Sequence, residues 1–491
     1  MSTNQTNIEG SNSFETNLNK WVEQEKKAVG LMNTIGHLLY DKAVELVLFR
    51  HHLVDSSVSE ILKKHKNVQN YTNKPVSIFD TADLAKELLA LDISPSKIDI
   101  GKLANEWEEE KDNFDSKSAF IKKKLNDFIF VERKNLAPKD VILYGFGRIG
   151  RIAARELIKQ SGKGQQLRLR AIVTRGDDET AMRKRASLLS NDSVHGAFQG
   201  HVDVDTEKKC MSINGQDVHL IHAKEPEDID YTAYGINDAL LIDNTGVFKD
   251  RTALSRHLQS KGVSKVILTA PGKEVPNIVY GVNHKQDVSI ENDNIISAAS
   301  CTTNAIVPVL KVIEDQLGIE KGHIETVHAY TNDQNLLDNM HKKTRRGRSA
   351  AINMVITETG AGKAVTKVIP SLENKLTANA VRVPTPNGSL AIMNLTVKQD
   401  TSVENVNQLL RTAALEGDLV NQIHYSTDDE TVSSDIIGNQ CCSVFDSPAT
   451  IVSNDGKNIV LYVWYDNEFG YTKQVIRLAK YIAQVRRQIY Y

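Results

Sequence analysis

Ser300-Cys301-Thr302-Thr303-Asn304 sets one thiol among hydroxyls and an amide, and Thr326-Val327-His328-Ala329-Tyr330-Thr331 supplies a histidine further on. A thiol with a free pKa of about 8.5 becomes nucleophilic when a nearby base or cation stabilises its thiolate. Cys301 and His328 are thus what covalent catalysis on an aldehyde needs. Alone, the first segment reads more readily as a structural cysteine in a polar turn, and the second as a core or surface histidine. An earlier stretch changes that balance: Val141-Ile142-Leu143-Tyr144-Gly145-Phe146-Gly147-Arg148-Ile149-Gly150. Here an apolar strand enters Gly-x-Gly-x-x-Gly and continues at helical spacing. Gly145 permits a tight turn, Gly147 lets backbone approach a pyrophosphate, and Gly150 lets helix and strand pack closely. The helix N-terminus then offers N–H donors and partial positive charge to the phosphates.

The elements around these motifs follow from pattern. Leu167 to Thr174 reads as a second strand, and strands alternate with helices from Val141 to about Ser300, indicating parallel βαβ units. Beyond Cys301, runs such as Ala391–Val397 and Ile459–Tyr465 suit a more antiparallel sheet. Before Val141 the chain looks helical after some ten polar, disordered residues. Leu18, Trp21, Val22, Val29, Met32, Ile35, Leu39, Ala43 and Leu46 recur at three- and four-residue spacing. A second helix carries Val58, Ile61 and Leu62 behind Ser56 or Ser57, and a third carries Leu84, Leu88 and Leu89 behind Asp80 or Thr81. Lys102 to Phe130 reads as a charged helix, and Asn135-Leu136-Ala137-Pro138-Lys139-Asp140 as the joint. A packing or oligomer-stabilising appendage is the first reading of this region, a regulatory or partner-docking one the second.

Composition excludes several classes. With 491 residues, a formal net charge of -2 and 25% charged residues, no global basic field attracts nucleic acid or anionic membrane. No apolar run approaches the roughly 20 residues of a membrane helix, and Met1-Ser2-Thr3-Asn4-Gln5 lacks the blocks of a signal peptide. Four cysteines in so long a chain make no disulfide framework, and the adjacent Cys441 and Cys442 do not suggest zinc, so no metal is expected. The expected compartment is a reducing cytoplasm.

From Val141 to Tyr471 the chain resembles the phosphorylating glyceraldehyde-3-phosphate dehydrogenase family. The resemblance rests on Gly145–Arg151, Asp192-Ser193-Val194-His195-Gly196, Asn244-Thr245-Gly246-Val247-Phe248, Gly281-Val282-Asn283-His284 and Ser300–Asn304. It continues through His328–Gln334, Thr359–Val365, Arg382-Val383-Pro384-Thr385-Pro386-Asn387 and Trp464–Tyr471. It implies an α/β Rossmann nucleotide-binding domain over 138–300 and an α+β catalytic domain with a mostly antiparallel sheet over 301–471. A C-terminal helix over 472–491 would return to the nucleotide domain, and an all-α N-terminal extension would occupy 1–137. It also implies a homotetramer working in glycolysis or gluconeogenesis.

By the same resemblance Cys301 is the nucleophile and His328 its base and later its acid, with His328 and the Cys301 backbone N–H facing the developing oxyanion. Thr331, Asp333 and Arg382 look like the site for the phosphate of glyceraldehyde 3-phosphate. Ser300, Thr302, Arg346, Thr359 and Gly360 are the neighbours expected for inorganic phosphate. Asn467 resembles the residue that holds the nicotinamide carboxamide, Thr245 and Thr269 those beneath its riboside, and Phe146, Arg148 and Ile149 those beneath the pyrophosphate.

The departures lie at the adenosine end. NAD-using relatives carry an acidic residue after the second strand to bind the ribose 2′-hydroxyl; here Thr174-Arg175 stands there, followed by Gly176-Asp177-Asp178. Asn339-Met340 replaces a Leu-Pro pair that crowds the ribose from a neighbouring subunit. Both changes favour NADP, or dual use with NAD, unless Asp177 or Asp178 takes over the hydroxyl. Two other functions remain open: an erythrose-4-phosphate dehydrogenase, and a scaffold or regulator built on this fold.

Overall fold

Lys139–Tyr144 and Leu167–Thr174 lie side by side and parallel at the centre of an eight-stranded sheet. Its spatial order is Ile295–Ser297, Val263–Leu268, Ala239–Asp243, Lys139–Tyr144, Leu167–Thr174, Gln216–His222, Cys210–Ile213 and Val202–Asp205. The first six strands are parallel, and only the Cys210–Ile213 and Val202–Asp205 ribbon turns antiparallel. Helices Arg148–Lys159 and Phe469–Ile482 cover one face with Ala153, Leu157, Val475 and Leu478. Apolar runs such as Val141-Ile142-Leu143 are continuous because strands covered on both faces have no solvent side. This computed structural model describes residues 6–72, 74–129, 137–162, 166–176, 178–285, 292–357 and 359–491.

The second large sheet is mixed and mostly antiparallel. Its order is Val355–Thr357, Leu376–Val383, Ile319–Ala329, Ser389–Val397, Asn458–Tyr465, Ser443–Asp446 and Ile423–Ser426, with Ile451–Val452 added on Asn458–Tyr465. Ser389–Val397 and Asn458–Tyr465 pair antiparallel, as their alternating patterns suggest. The Cys301–Gln316 helix is sunk into this core, with Ala305, Ile306, Val309, Leu310 and Ile313 fully buried. A side chain at its first turn is therefore carried on a rigid element.

The described chain divides into two compact units, Leu136–Arg486 and Met1–Asn135 with Arg487–Tyr491. The second unit departs from the all-α expectation. Its first helix, Thr6–Lys42, stops before Ala43, whose φ is 57°, and Glu45–Leu48 is a strand. Leu46 had been counted at helical spacing. Val44-Glu45-Leu46-Val47-Leu48 is nearly all apolar, and such a run fits a buried strand as well as a buried helix. The unit's sheet runs His51–His52, Glu45–Leu48, Ser96–Asp99, Gln488–Tyr490, with the last three strands parallel. The charged helix expected over Lys102 to Phe130 is two helices, Ile100–Glu110 capped by Asp99 and Lys117–Lys124 capped by Ser116. Ser77, not Asp80 or Thr81, caps Ile78–Ala90. Ser57 and Glu60 form a reciprocal cap on Val58–Thr72. Of the polar start expected to be disordered, Thr6 onward is helical and residues 1–5 lie outside the described set, as do Asn135 and Leu136 of the expected joint.

The chain's end also differs from expectation. The last helix stops at Ile482, not near 491. Gln484 has φ 55° and donates to Tyr481 O at 3.0 Å, while Val485 donates to Lys480 O at 3.1 Å. These are the bonds of a helix stop usually built on glycine, so a glutamine there gave no signal. Gln488–Tyr490 then belongs to the second unit: Tyr490 donates to Glu106 Oε2 at 2.5 Å, and Lys102 Nζ donates to the Tyr491 carbonyl.

Candidate active site

Cys301 opens its helix directly after Ile295–Ser297 and a short turn. Ala299 in that turn has φ 56° and is buried, a left-handed conformation costing on the order of 1–3 kcal/mol outside glycine. Ser300 caps the helix, its Oγ accepting from Thr303 N at 3.0 Å, and Asn304 Nδ2 ties back to Ala298 O at 2.8 Å. Sγ is thereby fixed at the positive end of a sixteen-residue helix.

His328 lies near the end of Ile319–Ala329 and places Nε2 3.7 Å from Cys301 Sγ. Its Nδ1 lies 2.6 Å from Ala329 O. A proton on Nδ1 would bond that carbonyl and turn the Nε2 lone pair toward the thiol, the tautomer a base for Cys301 requires. Arg382 is the register partner of His328 on the parallel strand Leu376–Val383. Its Nη1 donates to Ala329 O at 3.0 Å and to Thr331 Oγ1 at 3.1 Å, and stands 3.1 Å from His328 Nδ1.

Burial and then the Arg382 charge depress His328 to about 4, against the Ala329 carbonyl bond. Burial raises the Cys301 thiol; Arg382, the Thr302 hydroxyl and the Thr302 and Cys301 N–H groups pull it back. Cys301 keeps a partly exposed surface although protein surrounds it on most sides. Burial opposes either charge alone. Moving the proton from Sγ to Nε2 creates both charges together 3.7 Å apart, where each offsets the other.

The residues expected around phosphate form a connected chain. Thr331 Oγ1 donates to Asp333 Oδ1, and Asp333 Oδ2 pairs with Arg346 Nη1. Arg346 Nε donates to Thr357 Oγ1 at 3.0 Å. Arg346 and Asp333, placed in different phosphate sets by resemblance, are thus ion-paired. The Thr302 hydroxyl meets the Tyr465 hydroxyl at 3.0 Å. Thr359 Oγ1 accepts from Ala361 N at 3.2 Å, and Gly360 precedes the Ala361–Val368 helix with no capping side chain.

On the nucleotide side, the glycine cradle fits a dinucleotide. A Cβ on Gly150 would stand 2.5 Å from Gly145 O, and one on Gly145 2.9 Å from Thr245 Cγ2, whereas nothing lies within 4 Å of that position on Gly147. Gly147 caps Arg148–Lys159 without a side-chain bond, leaving that helix start open to an anion. Phe146 and Ile149 pack against the core beside it. The Arg148 guanidinium turns to Glu468, with Nη2 to Oε2 at 2.6 Å, and to Asp192 at 3.2 Å. Thr245 donates N–H and hydroxyl to Asp243 Oδ1 at 2.8 and 2.7 Å, and Thr269 Oγ1 donates to Asp243 O at 2.9 Å. Asn467 Oδ1 accepts from Ser389 Oγ at 2.9 Å, and Ser389 Oγ accepts from Ala329 N at 3.1 Å, joining Asn467 to the strand end that carries His328. Thr174 closes its strand and Arg175 is exposed beyond it; Asp178 Oδ1 is occupied by Ala181 N at 2.9 Å, and Asp177 lies outside the described residues.

Sequence reasoning passed over Asp243, Ser389, Tyr465 and Glu468. Tyr465 and Glu468 stood inside the quoted Trp464–Tyr471 motif. Asp243 and Ser389 gave no signal, because their roles are bonds to residues distant in sequence.

A parallel sheet whose carboxyl ends face a glycine-lined helix start, followed by a mixed-sheet domain, defines a Rossmann-type oxidoreductase. Residues 139–251 match the glyceraldehyde 3-phosphate dehydrogenase NAD binding domain and residues 300–467 the C-terminal domain of the same enzyme. The chain belongs to the glyceraldehyde-3-phosphate dehydrogenase family. It is 46% identical over 463 residues to a glyceraldehyde-3-phosphate dehydrogenase-like protein of Pseudomonas aeruginosa, covering 92% of this chain and 98% of that protein. Glyceraldehyde-3-phosphate dehydrogenases of Clostridium pasteurianum and Nostoc are 38% and 41% identical, covering 71% and 70% of this chain and 99% and 98% of theirs. The Pseudomonas match therefore takes in most of the N-terminal extension as well as the family domains. Among the described residues, no helix is long and apolar enough to cross a membrane.

Proposed function

We propose that the chain catalyses the reversible phosphorylating oxidation of glyceraldehyde 3-phosphate to 1,3-bisphosphoglycerate, using NADP or both NADP and NAD. The observation that carries this is the 3.7 Å approach of Cys301 Sγ to His328 Nε2, beside Arg382 and Thr331. Sγ adds to the aldehyde carbon while His328 Nε2 takes the thiol proton. The Cys301 N–H at the helix start faces the oxygen that becomes negative. His328 returns that proton to the oxyanion, which gives the neutral hemithioacetal and frees Nε2, and then accepts the hydroxyl proton as the hydride leaves, giving a thioester on Cys301. The nicotinamide cofactor, when bound, supplies the hydride acceptor. Phosphate attacks the thioester carbonyl, the acyl phosphate departs, and Sγ recovers a proton from His328. Arg382, Thr331 and Asp333 orient the substrate phosphate. Arg346, Thr302, Thr359, Gly360 and Ser300 form the surroundings of the attacking phosphate. Phe146, Gly147, Arg148 and Ile149 underlie the pyrophosphate, Thr245 and Thr269 the riboside, and Asn467 holds the carboxamide.

Thr174-Arg175 at the place where NAD-using relatives carry an acidic residue supports the NADP preference, and the Asp178 carboxylate is committed to a helix start. A homotetramer is supported by exposed Leu336, Leu337, Met340, Ile352 and Met354, an apolar loop that a partner subunit would cover. The proposed setting is cytoplasmic glucose metabolism. Initial rates with NAD and NADP, each with and without phosphate, test the reading. It predicts phosphate-dependent turnover and higher kcat/KM with NADP. Turnover favouring erythrose 4-phosphate without phosphate contradicts the substrate assignment, and an inert protein contradicts catalysis altogether.

A further inference from the structure

Asp243 closes the strand Ala239–Asp243 beside Tyr144 and Leu268. Its Oδ1 accepts the N–H and hydroxyl of Thr245, and its carbonyl accepts the N–H of Thr269 at 3.0 Å and the hydroxyl at 2.9 Å. Its Oδ2 meets His257 Nε2 at 2.8 Å, with both side chains fully buried. Among the described residues His257 is the only partner of that oxygen. His257 lies on the short helix Arg256–Gln259, and its ring stands 4.6 Å from that of Tyr144 and 5.0 Å from that of Phe248. The histidine is thus wedged between the residue before Gly145 and the last residue of the 244–248 motif. Packing alone does not explain a histidine there. Its Nδ1 is buried with no partner among the described residues, a cost that leucine or phenylalanine in the same space would not carry. A proton on Nε2 gives Asp243 Oδ2 a donor that nothing else in that sealed space offers.

We propose that His257 is a positioning residue for the nicotinamide half of the cofactor. By holding Asp243 Oδ2 it keeps Oδ1 turned to Thr245, and so sets the two threonines beneath the riboside. This rests on the riboside reading of Thr245 and Thr269 above and deepens it. The Thr245 side chain has little freedom in the clasp. Its hydroxyl donates to Asp243 and accepts from Val247 N at 3.1 Å, and its Cγ2 faces the Gly145 turn, 2.9 Å from where a Cβ on Gly145 would stand. Without His257, Oδ2 is a buried acceptor with no donor, and the carboxylate gains by rotating away from Thr245 to find one. Among the described residues, Asp243, Thr245, Thr269 and His257 make no side-chain bond to Leu167–Thr174, whose end is proposed to meet the adenosine ribose. The adenosine end should therefore not feel the change.

Calorimetric titration of the full-length protein with the whole dinucleotide, NADP or NAD as it prefers, and with the matching adenosine fragment, 2′,5′-ADP or 5′-AMP, tests this apart from catalysis. His257→Leu should weaken the dinucleotide about tenfold while leaving the fragment within about twofold. His257→Gln, whose amide can stand in for the Nε2–H, should recover most of the loss. Retained fragment binding shows that the variants fold, and His257→Asn, polar but too short to reach Asp243, replaces the leucine variant should that one not fold. Thr245→Val and Thr269→Val separate the inference from the reading it rests on. If they weaken the dinucleotide while His257→Leu does not, or weakens the fragment equally, the role of His257 is refuted and the riboside reading stands. A glutamine variant as weak as the leucine one refutes it too. If both threonine variants bind the dinucleotide as wild type does, the riboside reading fails and this inference with it.

Discussion

His328 and Arg382 sit directly opposite each other on adjacent parallel strands, and one Arg382 nitrogen serves Ala329 O and Thr331 Oγ1 beside the imidazole. The pairing gives Arg382 two effects. It orders an anion-facing cluster, and its charge adds to burial in keeping the imidazole neutral and holds the thiol more acidic than burial alone allows. A base that is unprotonated at neutral pH is ready to take the thiol proton when substrate arrives.

His328→Asn should therefore lower turnover by about 10²–10⁴-fold and shift thiol alkylation to higher pH. Without the imidazole, the thiol that burial raises has lost the partner whose charge offsets its own, so its thiolate forms only in more alkaline solution. Stopped-flow iodoacetamide labelling across pH reads this directly. An unchanged profile means that another group activates Cys301.

Arg346→Ala and Arg382→Ala should differ in kind. Arg382→Ala should raise the KM for the phosphorylated aldehyde, and Arg346→Ala the KM for inorganic phosphate, each by roughly tenfold to hundredfold. Because Asp333 holds Arg346 in the free protein, Asp333→Asn should release it and tighten inorganic phosphate binding. Steady-state KM values for both substrates check all three, and a rise in the aldehyde KM alone for both arginine variants contradicts two separate sites.

Removing residues 1–136 should leave chemistry intact, but the cut has a second consequence. It leaves Gln488–Tyr490 without Ser96–Asp99, its strand partner. An unpaired strand end with Ile489 and two tyrosines promotes association. A chain spanning 137–486 should accordingly stay active and remain less aggregated than one spanning 137–491, as light scattering would show. Loss of activity in a soluble, folded 137–486 chain would mean that the extension completes the site.

Asp192 links the acid stability of the fold to the nucleotide domain. Burial pushes its carboxyl up, but the N–H groups of His195 and Val194 and the Arg148 charge carry it down to about 2. A folded pKa below the unfolded value means that the stabilisation is complete above about pH 4 and fades as pH falls toward 2. Asp192→Asn should remove at most about 2 kcal/mol at neutral pH and flatten the melting temperature between pH 5 and 3. An unaltered acid slope contradicts this assignment.

The sequence carried the nucleotide half of the fold because its signals are local: Val141–Tyr144 is apolar, Gly145–Gly150 is a glycine turn, and Leu167–Thr174 matched a strand to the residue. Cys301 and His328 were legible through their motifs. Illegible were features that depend on contacts remote in sequence: the Asp243 clasp on Thr245 and Thr269, the Ser389 link to Asn467, and the Arg346–Asp333 pair. The extension's sheet was hidden because Glu45–Leu48 is buried and carries no alternation, and because one of its strands lies at the other end of the chain.

The account centres on a thioester at Cys301 that inorganic phosphate discharges. Peptide mass spectrometry of acid-quenched enzyme, after one turnover with glyceraldehyde 3-phosphate and NADP in phosphate-free buffer, reads it directly. The prediction is a 3-phosphoglyceroyl adduct on the Cys301 peptide that disappears when phosphate is added, with an acyl phosphate formed in equal amount. A turning-over enzyme with no adduct at Cys301, or an adduct that phosphate leaves untouched, contradicts it.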